Sequence, residues 1–120
     1  MKEENFSITN KTKSTLPSVP FLKIKNEALG KDYSLSLVFV GEKSIQKLNF
    51  NYRGKNKPTN ILSFSLDKKF GEIFICPAIA RKESLSLAFL FIHGLTHLKG
   101  YDHGDTMERA EEKLRKQFGI

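Results

Sequence analysis

All three histidines of this 120-residue chain fall within eleven residues, His93-Gly94-Leu95-Thr96-His97-Leu98-Lys99-Gly100-Tyr101-Asp102-His103. Positions four apart on a helix lie one turn above each other, so His93 and His97 aim their imidazoles at a common point. Gly100 lets the backbone leave the helix in a left-handed turn, and Tyr101-Asp102 then swings His103 back to that point. Three neutral imidazole donors favour one Zn²⁺ and leave a fourth tetrahedral position open, as catalytic zinc requires. The alternative is a histidine hydrogen-bond cluster, because buried ring nitrogens need partners of some kind. In the His-Glu-x-x-His motif of zinc peptidases the residue after the first histidine is the general base. Here it is Gly94, so an ordinary peptidase mechanism is not expected. Asp102 is expected to orient a histidine, and Asp102 and Glu72 are the candidates for a general base.

The elements that must position these side chains are written in the hydrophobic pattern. Leu85 to Lys99 is apolar on nearly every side of a helical wheel, which predicts an enclosed central helix closed by Gly100. Tyr33 to Val40 begins in strict alternation and ends fully apolar before Gly41, a well-buried strand. Ile61 to Leu66 and Glu72 to Cys76 are β-like runs separated by Asp67-Lys68-Lys69-Phe70-Gly71, which suits a hairpin. Phe6 to Thr9 alternates and starts a sheet, followed by the unordered-looking stretch 10–15. A helix is expected over 18–29, with Pro17 and Pro20 near its start and Gly30 as its stop. A short helix around Ile45 to Tyr52 ends at Gly54. The last helix starts at Asp105, whose side chain caps it with Glu108 completing the box. Its buried stripe is Met107, Ala110, Leu114 and Phe118.

The length fits one domain over residues 1–120, and 39% apolar residues with ten Phe suffice for a core. The only cysteine, Cys76, lies in an apolar run, so it reads as a buried small side chain with no disulfide partner, which suits a reducing cytoplasm. Neither a signal peptide nor a membrane span is expected, since the longest apolar stretch, Leu85 to Ile92, is too short to cross a bilayer. Twenty Lys and Arg against thirteen Asp and Glu leave the chain at +7, and polyanions are the expected partners. The excess is uneven: residues 1–60 carry eleven basic and five acidic side chains, residues 61–120 nine and eight.

The histidine segment resembles the signature of the YbeY endoribonuclease family, the bacterial rRNA maturation factors. A second block agrees in content and order: Leu48-Asn49, then Tyr52-Arg53-Gly54-Lys55-Asn56-Lys57-Pro58-Thr59-Asn60-Ile61-Leu62-Ser63-Phe64, with Gly71-Glu72-Ile73 resembling the family's Gly-Asp-Ile element. The resemblance implies an α+β fold with a zinc-peptidase-like layout, a small mixed sheet packed with helices around a central metal-binding helix. It also implies one zinc on His93, His97 and His103, and cleavage of single-stranded RNA in small-subunit rRNA processing and ribosome quality control, with rRNA and the ribosome as partners. Arg53 matches a family arginine of functional importance, and a guanidinium suits gripping a phosphate in two places. Lys55 and Lys57 flank it, making the segment from Arg53 to Asn60 the expected meeting point with an RNA backbone. Zinc is expected to acidify a bound water toward ~7 and polarise the scissile phosphate; attack by the RNA 2′-hydroxyl is the open alternative. Two rivals are a non-catalytic zinc-containing assembly factor that binds RNA and a hydrolase of peptides or small molecules. One departure from the family is plain: only seventeen residues separate Ile75 from His93, where the family carries a longer stretch.

Overall fold

A computed structural model describes every residue except Met1, Glu4, Asp102 and His103, with Lys2 and Glu3 in backbone only. In chain order the elements are β1 (Lys2–Glu3), β2 (Phe6–Asn10), α1 (Phe21–Leu29), β3 (Ser34–Phe39), α2 (Glu42–Arg53), β4 (Ile61–Asp67), β5 (Phe70–Ile75), α3 (Pro77–Lys82), α4 (Leu87–Lys99) and α5 (Asp105–Phe118). The sheet runs β1-β2-β3-β5-β4. Strands β2, β3 and β5 are parallel, and β1 and β4 run antiparallel to their neighbours, so the sheet is mixed and the fold α+β as expected. Because side chains alternate across a strand, Leu35, Leu37, Phe39, Ile73 and Ile75 pack with α1 and α4, whereas Val38, Leu62, Phe64 and Phe74 pack with Ile45 and Leu48 of α2. Burial on both faces explains why the end of β3 is apolar without alternation.

Several boundaries differ from those read in the sequence, each for a local reason. Pro20 disfavours helical backbone at the residue before it, so α1 begins at Phe21 rather than 18. The side chain of Ser86 accepts the Phe89 N–H at 3.0 Å and starts α4 at Leu87 rather than 85. The six-residue α3, opened by Pro77, was too short to show a helical period. Gly104 rather than Asp105 is the N-cap of α5, with φ 141, and no side chain caps it; the expected capping box does not form. Asp105 and Glu108 instead stand in the first turn, where carboxylates favour the helix dipole. The stretch after β2 is not featureless either: Asn10 accepts the Thr12 N–H at 3.0 Å and donates to Ser14 O at 2.9 Å.

Gly94 determines how closely α4 lies on the sheet. A Cβ there would come within 2.9 Å of Ile61 Cδ1 and Ser63 Oγ and 3.0 Å of Ile73 Cδ1. Position 94 therefore faces β4 and β5, and a carboxylate placed there would enter the core instead of serving as a base.

Lys25 on α1 is fully buried at 0% exposure, with Nζ 3.3 Å from Asn26 Oδ1 and 3.4 Å from Lys31 O. Desolvation lowers its pKa below 10.5, opposed by the nearby Asp32 carboxylate. Between the lowered value and 10.5 the unfolded chain holds a proton that the folded chain has released, so this residue makes stability rise with pH across that window. Urea midpoints compared near neutral pH and near 10 are expected to show the rise in wild type and a smaller one in Lys25→Met. Equal slopes in the two proteins would contradict it.

Candidate metal centre

Helix α4 is enclosed because Ala88, Leu90, Phe91, Ile92, Leu95 and Thr96 are all buried, leaving His93 and His97, partly exposed, on its open face. One helical turn apart, their rings stand at 88° with centroids 4.7 Å apart, and the two Nε2 atoms are 3.2 Å apart. Two ligands on a tetrahedral cation with Zn–N bonds of 2.0–2.1 Å are separated by about 3.3 Å, so the pair already has the spacing of one edge of such a site.

The other nitrogen of His93 is held from α5. His93 Nδ1 lies 2.6 Å from Glu111 Oε2, a carboxylate only 8% exposed as a residue. An N–H donated there leaves the lone pair on Nε2, the atom that faces His97. Thr96 Oγ1 sits 2.8 Å from His93 O and 3.1 Å from Glu111 Oε2, fixing the carboxylate further. Orientation of a histidine by a carboxylate was anticipated, but from Asp102, which lies outside the described residues. Glu111 was missed, although the signal was present: it falls on the buried stripe of α5, between Met107 and Leu114, where a carboxylate needs a partner.

His103 also lies outside the described residues, and among those described no three His, Cys, Asp or Glu side chains form a metal-binding group. Gly104, the next residue in the chain, lines the same cleft as His93 and His97. The closing turn of α4 is as expected, with Gly100 left-handed at φ 105.

The histidines open into a cleft of about 870 Å³ that follows the edge strand β4 between α4 and α5. Arg53, exposed at the end of α2, lines this cleft, so the structure brings it together with the histidine pair. Lys55 and Lys57 are exposed in the following loop but outside the cleft lining. The loop is held by Asn49, whose Nδ2 donates to Lys57 O at 2.9 Å. Glu72 is not with the site: on β5 it alternates with Gly71 and Ile73, which face α4, so its side chain belongs to the opposite face. The exposed carboxylate that does line the cleft is Glu108. Beside Arg53, Tyr52 is 68% exposed and also lines the cleft, its ring 5.1 Å from that of Phe64.

A mixed sheet, an enclosed central helix carrying a histidine pair, and an open groove along an edge strand define an α+β domain whose helix-borne imidazoles line that groove. The chain belongs to the endoribonuclease YbeY family, whose sequence model matches residues 1–119. An endoribonuclease YbeY of Buchnera aphidicola is 44% identical over 100 residues, covering 67% of this chain and 64% of the relative. The chain thus spans slightly under two thirds of that relative. The one from Finegoldia magna is 32% identical over 139 aligned positions, covering 99% of this chain and 91% of the relative. About twenty of those positions therefore have no counterpart in this chain. A Thermotoga maritima protein solved in solution is 28% identical with a TM-score of 0.64, covering 95% of this chain and 89% of that one. Among the described residues no helix is long and apolar enough to cross a membrane, and Cys76 is buried and free.

Proposed function

We propose that this chain is a zinc-dependent endoribonuclease that cuts single-stranded RNA in the maturation and quality control of the small ribosomal subunit. The observation that carries the reading is that one cleft is lined by both His93 and His97, with Nε2 atoms 3.2 Å apart, and by the guanidinium-bearing Arg53. Family membership supports the RNA-cleaving activity, since the relatives matched are named endoribonucleases. His93 and His97 would hold the metal with His103 as third ligand. When bound, zinc supplies Lewis acidity at a phosphoryl oxygen and water acidified toward about 7. The chain's own residues do the rest. Glu111 keeps His93 in the tautomer whose lone pair is on Nε2, the atom turned toward His97, and Arg53 offsets charge developing on the phosphoryl oxygens. Glu108, an exposed carboxylate that lines the cleft, would be available to accept a proton from the attacking group, whether water or the RNA 2′-hydroxyl.

Tyr52 gives the preference for single strands a physical basis. An exposed ring braced on Phe64 offers a stacking surface that only an unpaired base can reach. Tyr52→Ala is expected to weaken binding of single-stranded RNA by about 5–150-fold, the loss of ~1–3 kcal/mol of base stacking, while Tyr52→Phe retains it. Loss of the partner of His93 is expected to act through the metal: Glu111→Gln should lower zinc affinity by about 10–100-fold, with activity restored by excess zinc.

Cleavage of single-stranded and duplex RNA of one sequence tests the proposal, with the product ends identified. Cutting of the single strand alone is expected. RNA bound but never cut would replace this reading with that of an assembly factor. A 2′,3′-cyclic phosphate end would identify the RNA 2′-hydroxyl as the first nucleophile.

A further inference from the structure

The basic excess of the chain is not spent on the loop after Arg53 alone. Lys31 after α1, Lys68 and Lys69 in the β4–β5 turn, and Lys99 at the end of α4 come from three separate segments to ring one recess of about 300 Å³. All four are exposed, and none of them enters an ion pair among the described residues. One carboxylate, Asp32, stands in the recess wall with these four lysines, and Asp67 Oδ1 accepts the Lys68 backbone N–H at 2.7 Å at the start of the turn, so the ammonium groups around the recess outnumber the carboxylate that lines it.

The backbone that carries these lysines is pinned. Ser34 N–H donates to Lys69 O at 2.8 Å, and Lys31 O accepts from Asn5 Nδ2 at 3.0 Å and from Lys25 Nζ at 3.4 Å. Four like charges held around one recess repel each other, and a bound polyanion would relieve that repulsion. Leu98 lines both this recess and the histidine cleft, so the two adjoin.

We infer that the recess is a second phosphate-binding subsite, which holds the backbone of a single-stranded RNA where it continues beyond the histidine cleft. This rests on the proposal that the cleft takes RNA. Ammonium groups on flexible stems read charge and not base identity, which suits a flanking segment of any sequence. The adjoining cleft favours this strand over an acidic protein segment, which would have no reason to continue toward the histidines.

The test is fluorescence anisotropy with the full chain across a salt series, using a long labelled single-stranded RNA and a short one that fills the histidine cleft alone. The variant Lys31→Gln/Lys68→Gln/Lys69→Gln/Lys99→Gln is compared with Lys11→Gln/Lys13→Gln/Lys43→Gln/Lys47→Gln, which loses the same charge elsewhere. For the long RNA, the recess variant is expected to lose affinity by about 10–100-fold and to flatten the salt slope by up to about 3, at ~0.7 per phosphate contact on a single strand. The short RNA and the control variant should be unaffected. The turn variant Lys68→Gln/Lys69→Gln should show about half the change in slope, which guards against a folding defect in the fourfold variant. Equal losses in recess and control variants would reduce the effect to overall charge and overturn the subsite, as would an unchanged slope. Failure of the wild-type chain to bind either RNA would instead overturn the reading of the cleft itself.

Discussion

His97→Ala is expected to lower RNA cleavage by about 10³-fold or more while the chain stays folded. Loss of a group that merely supports a ligand costs about 10–100-fold, and His97 is proposed as a ligand itself. Its ring faces the cleft and is not part of the hydrophobic core, whose members on α4 are Leu90, Phe91, Ile92 and Leu95. Alanine is also the best helix former, so the substitution leaves α4 its backbone support. The thermal midpoint should fall mainly by the binding free energy of the lost metal, and should therefore match that of wild type after zinc removal. Metal content, circular dichroism and cleavage measured on one preparation check this. Undiminished cleavage by the folded variant after its zinc is lost would remove the metal from the reaction and end the claim of a zinc-dependent nuclease.

Arg53→Glu is expected to lower cleavage by about 10²–10³-fold, the usual effect of removing one charged group aimed at a transition state, with zinc content unchanged. Arg53 stands in the last turn of α2, so its loss costs the fold only the dipole contribution of about 0.3–1 kcal/mol. Arg53→Lys should recover only part of the activity, because an ammonium is a point charge without the two-pronged geometry of a guanidinium. The loss should appear in kcat more than in KM if Arg53 grips the phosphate as charge develops on it. Kinetics of Arg53→Glu within a few-fold of wild type would remove the residue from the mechanism.

The sequence carried the site further than it carried its surroundings, and the reason is range. A turn of helix relates His93 to His97, and a left-handed glycine ends it; both are local rules, and both appear as expected in the structure. Glu111 is eighteen residues from its partner and reaches it only because α5 folds back on α4. Its polar side chain on an apolar stripe marked it as unusual but not where it would point. Glu72 failed for the opposite reason. It falls in the stretch that resembles the family's Gly-Asp-Ile element, yet strand alternation sends its side chain to the other face of the sheet. Lys55 and Lys57 follow Arg53 in sequence but leave the cleft because α2 ends at Gly54, in a left-handed turn at φ 71. The lysines that do adjoin the cleft come from three segments distant in sequence, which no linear pattern brings together.

The most direct test is cleavage of single-stranded RNA by a preparation whose zinc content is determined in the same sample, before and after the metal is stripped and restored. About one zinc per chain, cleavage lost on stripping, and cleavage recovered on adding one equivalent are the expected result. RNA cut equally well by the metal-free chain, or a full complement of zinc with no cleavage, would contradict it.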